Sequence, residues 1–355
     1  MMKFIHCADI HLDSKIEANL PTAKSRERKR EILQTFIELC RFAAENQVTA
    51  VIIAGDLFDT NTCSPVTCDA VLGAIAKAKD VDFLYLCGNH DAGRVLSEQE
   101  IPQNLKFFKD EWTSFTYGNV VISGAVLTDF NCRNIYGSLC LESDALNIVT
   151  MHGQVAKTVG EDFVHLGELA NKNIDYLALG HEHSFKEGKL DKRGKWCYCG
   201  CLEGRGFDES GQKGFVMIDT DEKGLKYSFV PTNGRRIEVV DCDISGLSDF
   251  SQMLEKIDQT LVDVPETAMV KVNLVGRVPT GARKDLLYFQ KELNSRFYFA
   301  KLKDKTSLEI NPETYKNDVS LKGEFIRIAL ESGLAQEQID RILECGLSAL
   351  IGMEV

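Results

Sequence analysis

In ALGHEHSF, residues 178–185, His181 and His183 stand one position apart, directly after the apolar YLAL and a glycine. The chain holds only seven histidines. An imidazole near neutral pH can ligate a divalent cation or move a proton, so a pair at the end of an apolar run has a use if other donors arrive there too. The same arrangement recurs upstream. Asp9 and His11 end the first apolar run in ADIHLD. Asp56 ends the second in AGDLFD, with Asp59 three residues on, and Asn89, His90 and Asp91 follow a third in GNHD. His152 closes a later run in TMHG. Five of the seven histidines therefore sit just beyond strand-like runs.

Carboxylate, imidazole and amide oxygen form a mixed hard and borderline donor set, suited to Mn²⁺, Fe or Zn rather than Ca²⁺ or thiolate-seeking Cu. One carboxylate shared by two cations allows a dinuclear centre with ions about 3.5–4 Å apart. Such a pair activates a bridging water and clamps the attacking and leaving oxygens of a phosphate ester. Glycine precedes Asp56, Asn89 and His181 and follows His152, which suits tight turns where backbones approach closely. Each motif alone is common, and GHEH by itself is more often an ordinary loop. Together, each after a strand signal, they have one place to converge, because sheets of this kind collect ligands at the carboxyl ends of their strands.

The elements that must position them are readable. KFIHCAD, TAVIIAGD and DFLYLCGNH are near-continuous apolar strands of a sheet buried on both faces. Between the first two, residues 24–46 repeat apolar positions at helical steps (Ile32, Leu33, Phe36, Ile37, Cys40, Ala43, Ala44), and residues 67–79 also read as helix. From residue 114 come shorter strands separated by Gly, Asn and Asp turns. Strand-after-strand pairing onto the first sheet is expected there. The expected fold class is α/β: a four-layer αββα sandwich of two packed sheets flanked by helices. A boundary falls in TNGRRIEVV, residues 232–240. A helix (249–262), a strand, a helix (281–294) and a strand then suggest a small α/β capping domain, and two amphipathic helices end the chain. The expected domains are 1–238, 239–316 and 317–355, with no internal repeat.

Bulk properties narrow the function classes. A length of 355 residues points to more than one domain, and 44% hydrophobic with 26% charged residues is globular composition. The start, MMKFIHCADIHL, has no apolar leader, and no run approaches the roughly 18–20 residues of a membrane span. A cytoplasmic protein with no membrane partner is expected. The twelve cysteines are scattered and expected to be reduced. Cys197, Cys199 and Cys201 alternate in WCYCGC, where sulfur on a buried strand face outweighs a thiolate metal site. A net charge of −12 argues against a protein that coats DNA by charge alone. It leaves room for an enzyme that meets DNA through bound cations and local basic patches.

The order DxH, GDxxD, GNHD, HG, GHxH resembles that of the calcineurin-like metallophosphoesterases. ADIHLD, AGDLFD, GNHD, ALGHEH and the later YCGCLEGRGFDESGQKGF resemble in particular the SbcD-type DNA repair exonucleases and their DNA-end-processing relatives. The motif likeness covers roughly residues 1–235, and beyond that it is one of layout. The resemblance implies one cation held by Asp9, His11 and His183, a second held by Asn89, His152 and His181, and Asp56 bridging both. It implies His90 as the non-ligand histidine that gives a proton to the leaving oxygen or stabilises phosphate charge, with Asp59 orienting it. Two divalent ions, Mn²⁺ before Fe or Zn, would activate a hydroxide that attacks phosphorus in a DNA diester. The same residues would serve a phosphatase, or a phosphodiesterase of cyclic nucleotides or nucleotide esters. A scaffold with a vestigial centre is the reading of another class, disfavoured by the completeness of the donor set.

The partners implied are DNA, an SbcC-like coiled-coil ATPase and a second copy of the chain. Phe325, Ile328, Leu330, Ile339, Ile342, Leu343 and Leu350 would offer the ATPase a docking face, or else simply cover a core. Arg205, in LEGRGF, has the planar fork to meet substrate phosphate. Other residues take plainer readings: His6 as a packed core histidine, His165 at the surface, Asp91 serving its turn. The charge runs KSRERKR (24–30), RKDLLYFQKEL (283–293) and KLKDK (301–305) read first as solvated faces and second as phosphate contacts.

Overall fold

A computed structural model describes residues 1–16, 19–59, 64–91, 101–158, 160–222, 224–279, 282–309, 315 and 317–351. The chain divides into two compact units, Met1–Ile237 and Glu238–Val355.

The first unit begins β1 (Met2–Cys7), α1 (Thr22–Glu45), β2 (Ala50–Ala54), α2 (Pro65–Lys77), β3 (Asp82–Leu86) and β4 (Leu105–Phe107). These four strands are parallel neighbours in that order, as apolar runs joined by crossover helices should be. Next come β5 (Thr113–Tyr117), β6 (Val120–Gly124), β7 (Leu146–His152), the short pair β8 (Gln154–Val155) and β9 (Phe163–Val164), and the one-turn α3 (Leu166–Leu169). β10 (Tyr176–Gly180), β11 (Lys186–Lys189) and β12 (Lys195–Tyr198) follow. Apart from β8 and β9, these strands form a second sheet, ordered β11-β12-β10-β7-β6-β5. β13 (Gly214–Asp221) returns to pair antiparallel with β1, and β14 (Gly224–Pro231) extends that first sheet.

The short spacing after residue 114 suggested successive pairing onto the first sheet. Instead β6, β7, β10 and β12 run parallel in a sheet of their own, and only β13 and β14 join the first. The connections between them are irregular crossovers, which leave no helical period to betray a parallel sheet.

The sheets face each other across a shared core. Phe4, Ile52, Leu84 and Val216 come from one side and Val120, Ile122, Ile148 and Ala178 from the other. Strand alternation turns Ile5 and Cys7 outward, where Cys7 lies beside Cys40 of α1. The outer face of the second sheet, with Val149, Met151, Leu177 and Leu179, is covered by Leu127, Ile135, Tyr136, Leu139 and Leu169. Cys197 and Cys199 belong to the inter-sheet core. His6 is fully buried with Nδ1 2.9 Å from Tyr176 Oη. Burial lowers its pKa to about 3. His165, expected at the surface, is half-buried, and its Nδ1 is shut away from solvent.

The boundary between the units falls after the first residue of β15 (Ile237–Asp243), which is followed by α4 (Phe250–Thr260), β16 (Met269–Val275), β17 (Arg277–Pro279), α5 (Leu286–Arg296), β18 (Phe299–Asp304) and β19 (Ser307–Glu309). Met253, Ile257, Phe289 and Leu293 of the helices pack with Val270, Val272 and Leu274. α5 begins later than the apolar period from residue 281 suggests, because the Asp285 carboxylate accepts from Tyr288 N and caps it there. In the terminal helices, Leu321–Leu330 and Gln336–Ile351, Ile326, Ile339, Leu343 and Leu347 pack together. Ile328, Ile342 and Leu350 are exposed. No helix among the described residues is long and apolar enough to cross a membrane.

Candidate metal centre

The carboxyl ends of β1, β2, β3, β7 and β10 meet. Main-chain bonds lash them together: Asp9 N to Gly55 O at 3.1 Å and His11 N to Asp56 O at 2.9 Å. Both carboxylate oxygens of Asp9 accept from His181 N, at 2.9 and 3.1 Å. The backbone at Asp9, His11, Asp56 and His181 is left-handed, with φ of 53°, 49°, 52° and 109°. Such conformations in non-glycine residues cost of order 1–3 kcal/mol each and gather at functional sites. Glycine is required at Gly180, where a Cβ would lie 1.8 Å from Ala54 O and 2.7 Å from His152 Nδ1.

All seven expected cation donors enter this cluster. His11 Nε2 and His183 Nε2 are 3.1 Å apart. Asp56 Oδ2 lies 3.6 Å from His11 Nε2 and 3.3 Å from His152 Nε2. Asn89 Oδ1 is 3.1 Å from His152 Nε2, and the His181 ring meets His152 edge-on at 5.5 Å. Asp9, His11 and His183 form one potential ion-holding group, and Asp9, Asp56 and His152 another.

The outward ring nitrogens decide what the inward ones can do. His152 Nδ1 faces Ala54 O at 2.9 Å, His11 Nδ1 faces Asp59 Oδ1 at 2.9 Å, and His183 Nδ1 faces Glu209 Oε1 at 2.6 Å. The nearest partner of each Nδ1 is an acceptor, closer in the case of His183 than Arg205 Nη2 at 3.3 Å, so each Nδ1 carries a proton and each Nε2 is the atom able to turn a lone pair toward a cation. Two lone pairs facing each other at the His11–His183 distance require positive charge between them. A buried carboxylate, imidazole and amide set of this kind fits a divalent first-row cation.

The field agrees. Burial works to raise the Asp56 pKa, but bonds and charge from His152 and His11 carry it well below the carboxylate range. Burial works against a charge on His152, yet the Asp56 carboxylate lifts it to about 9. Asp9 is raised to about 6, chiefly by burial.

His90 stands at the rim. Its main-chain N–H donates to Asp56 Oδ1 at 3.0 Å, and its exposed ring places Nδ1 3.4 Å from Asp59 Oδ1. Asp59 is thus nearer to His11 than to His90. Asp91 is buried and accepts from Leu57 N, Phe58 N and Gly88 N, tying the loops after β2 and β3. Arg205, expected to meet substrate phosphate, directs its guanidinium to Glu209 and Asp59.

Two groups escaped the sequence reading. Glu209 ends a short 3₁₀ turn (Phe207–Glu209) and anchors His183. Arg28, inside the run read as a solvated face, is fully buried and pairs with Glu203 at 2.5 Å and with Glu31. A signal existed for Arg28, since it stands four, seven and eight residues before the buried Ile32, Thr35 and Phe36, on the same helical stripe.

A model of the calcineurin-like phosphoesterase family matches residues 2–185, which takes in every one of the seven donors. The chain belongs to that family. It is accordingly a metal-dependent phosphoesterase, in a family that works with a dinuclear divalent-metal site. Among curated proteins it is 23% identical over 276 residues to the Bacillus subtilis protein named uncharacterized metallophosphoesterase YhaO, covering 73% of this chain and 67% of that one. It is 22% identical over 360 residues to the DNA double-strand break repair protein Mre11 of Methanosarcina acetivorans, covering 96% of this chain and 57% of the relative. To the Mre11 of Sulfolobus acidocaldarius it is 25% identical over 315 residues, covering 81% and 78%.

Proposed function

We propose that this phosphoesterase is a two-cation phosphodiesterase acting on DNA, an SbcD-type exonuclease. The observation that carries the reading is the reach of Asp56, whose single buried carboxylate approaches His11 on one side and His152 on the other. Asp9, His11 and His183 would hold one ion and Asn89, His152 and His181 the other, with Asp56 between them. Bound divalent ions supply Lewis acidity toward phosphoryl oxygens and bring the pKa of water toward neutrality; the donor set favours Mn²⁺.

The chain's own groups do the remaining work. Asp59, Glu209 and Ala54 O keep three imidazoles in one tautomer. Burial of Asp9 and Asp56 keeps bulk water from those carboxylates. His90, with Nδ1 toward Asp59, has Nε2 to give a proton to the departing oxygen, and the Asp59 carboxylate steadies the charged ring.

Support for DNA comes from the relatives named as DNA double-strand break repair proteins. With a net charge of −12, affinity for a polyanion would rest on the bound ions and local basic groups. The same reading carries the partners: an SbcC-like coiled-coil ATPase seated on the exposed Ile328, Ile342 and Leu350, and a second copy of the chain. It also carries a cytoplasmic location and a division into a nuclease domain, a capping domain and a C-terminal helical segment.

The test is to incubate the protein and Mn²⁺ with labelled single- and double-stranded DNA, beside a chromogenic phosphodiester and a phosphomonoester. DNA and diester should be cleaved, and EDTA should abolish both. Turnover of the monoester alone would make it a phosphatase. Two bound ions with no turnover of anything would make it a scaffold. His90→Ala should keep both ions and lose about 10²–10⁴-fold in turnover.

A further inference from the structure

We infer that Arg205 is a positioning residue: by bridging Glu209 and Asp59 it fixes the two carboxylates that orient His11 and His183, and so sets cation affinity on that side of the centre. The inference rests on the two-cation reading of the site. Arg205 Nη2 and Nε reach Glu209 Oε1 at 2.7 and 3.0 Å, and its main-chain N–H donates to Glu209 Oε2 at 2.6 Å. Nη1 lies 3.4 Å from Asp59 Oδ1. Those same two oxygens, Glu209 Oε1 and Asp59 Oδ1, are the ones that hold His183 Nδ1 and His11 Nδ1. One planar cation thus ties together both imidazole anchors, a geometry a flexible ammonium does not reproduce.

The guanidinium is a poor candidate for substrate. Its side chain is 15% exposed and Glu209 only 4%. A phosphate drawn to this fork would have to displace a carboxylate already seated in it and leave that carboxylate buried without its partner. The loop that delivers Arg205 is itself anchored. Glu203 accepts from Thr35 Oγ1 and Arg28 Nη1, both at 2.5 Å, and Arg28 Nη2 donates to Gly204 O at 2.8 Å. The two residues before Arg205 are thereby pinned to α1. Hydrogen bonds, the peptide chain and ion pairs thus form a path from that helix through Arg205 to the carboxylates that hold the Nδ1 atoms of two imidazoles.

An anchor at Nδ1 fixes the tautomer and raises the basicity of Nε2, and losing one typically weakens metal binding 10–100-fold. The path reaches only one side. His152 is held by the main-chain Ala54 O, which no change at Arg205 removes.

The experiment is calorimetric Mn²⁺ titration of the EDTA-stripped protein and of Arg205→Ala, with oligonucleotide KM read at saturating Mn²⁺. The wild type should bind two ions. Arg205→Ala should weaken one step by about 10–100-fold, leave the other step and the KM unchanged, and combine with Glu209→Gln less than additively. In the stripped protein, imidazole ¹⁵N shifts should report Nδ1–H tautomers at His11 and His183, and mixed tautomers in the variant. If Arg205→Ala does not fold, Arg205→Lys serves, with a smaller weakening of that same step. Unchanged isotherms with a KM raised tenfold or more would overturn the inference and return Arg205 to the substrate. Equal weakening of both steps would overturn it too. Fewer than two ions on the wild type would instead sink the two-cation reading, while leaving the imidazole shifts to judge the brace.

Discussion

The two sides of Asp56 are built by different means. His11 and His183 are oriented by side-chain carboxylates, Asp59 and Glu209, whereas His152 is oriented by a peptide carbonyl of β2. Asp9 and His11 are buried, whereas Asn89 is exposed at the rim. The first side can be tuned by substitution, one contact at a time. The second can be altered only by bending a strand that the hydrophobic core holds in place. A site can thus vary in one half while the other half stays tied to the fold.

The largest effect should come from the group common to both sides. Asp56→Asn removes the shared anionic oxygen, so both ions should be lost and diester turnover should fall by more than about 10³-fold. Metal analysis that found one ion still tightly bound would break the symmetry assumed around Asp56. Gly180→Ala aims at the main-chain side alone. Its new methyl would collide with Ala54 O and the His152 ring, at a stability cost of about 1–3 kcal/mol. In Mn²⁺ titration it should weaken the step that Arg205→Ala spares. Weakening of the same step by both variants would erase the distinction between the sides.

The smallest effect near neutrality concerns an imidazole with no carboxylate anchor. His6 sits on the same strand as the centre but meets Tyr176 and the main chain of Leu179 in place of a carboxylate. The fold resists its protonation down to about pH 3, while the unfolded chain accepts the proton at about 6.5. The unfolded state therefore holds more protons between these values, so stability is full above pH 6.5 and declines as pH falls. The loss is below about 1 kcal/mol at pH 6 and reaches roughly 3 kcal/mol at pH 4. Urea unfolding of the stripped protein should follow that curve, and His6→Phe should flatten it. An unaltered slope in the variant would mean that other groups govern the acid limb.

The residues that gather at the centre were legible as candidates because each closes an apolar run, and strand ends in parallel sheets have nowhere else to point. Local motif and global fold agree there. What stayed hidden depends on contacts remote in sequence. Glu209 meets His183 across a return of the chain through β12 and the buried loop after it, and nothing in GFDES announces that meeting. Arg28 was obscured by composition, since seven polar neighbours in a row outweigh one position on the apolar stripe. The second sheet was legible as strands but not as a parallel array. Turn spacing reports only where the chain bends, not which neighbour it meets after the bend.

Four of the candidate donors, Asp9, His11, Asp56 and His181, adopt backbone angles that glycine would hold at ease. Each could therefore be replaced in a way that relaxes the main chain while abolishing its chemistry. Selection for heat resistance alone would push this protein toward an inert sandwich, and only continued demand for catalysis holds those loops in their uncomfortable shape.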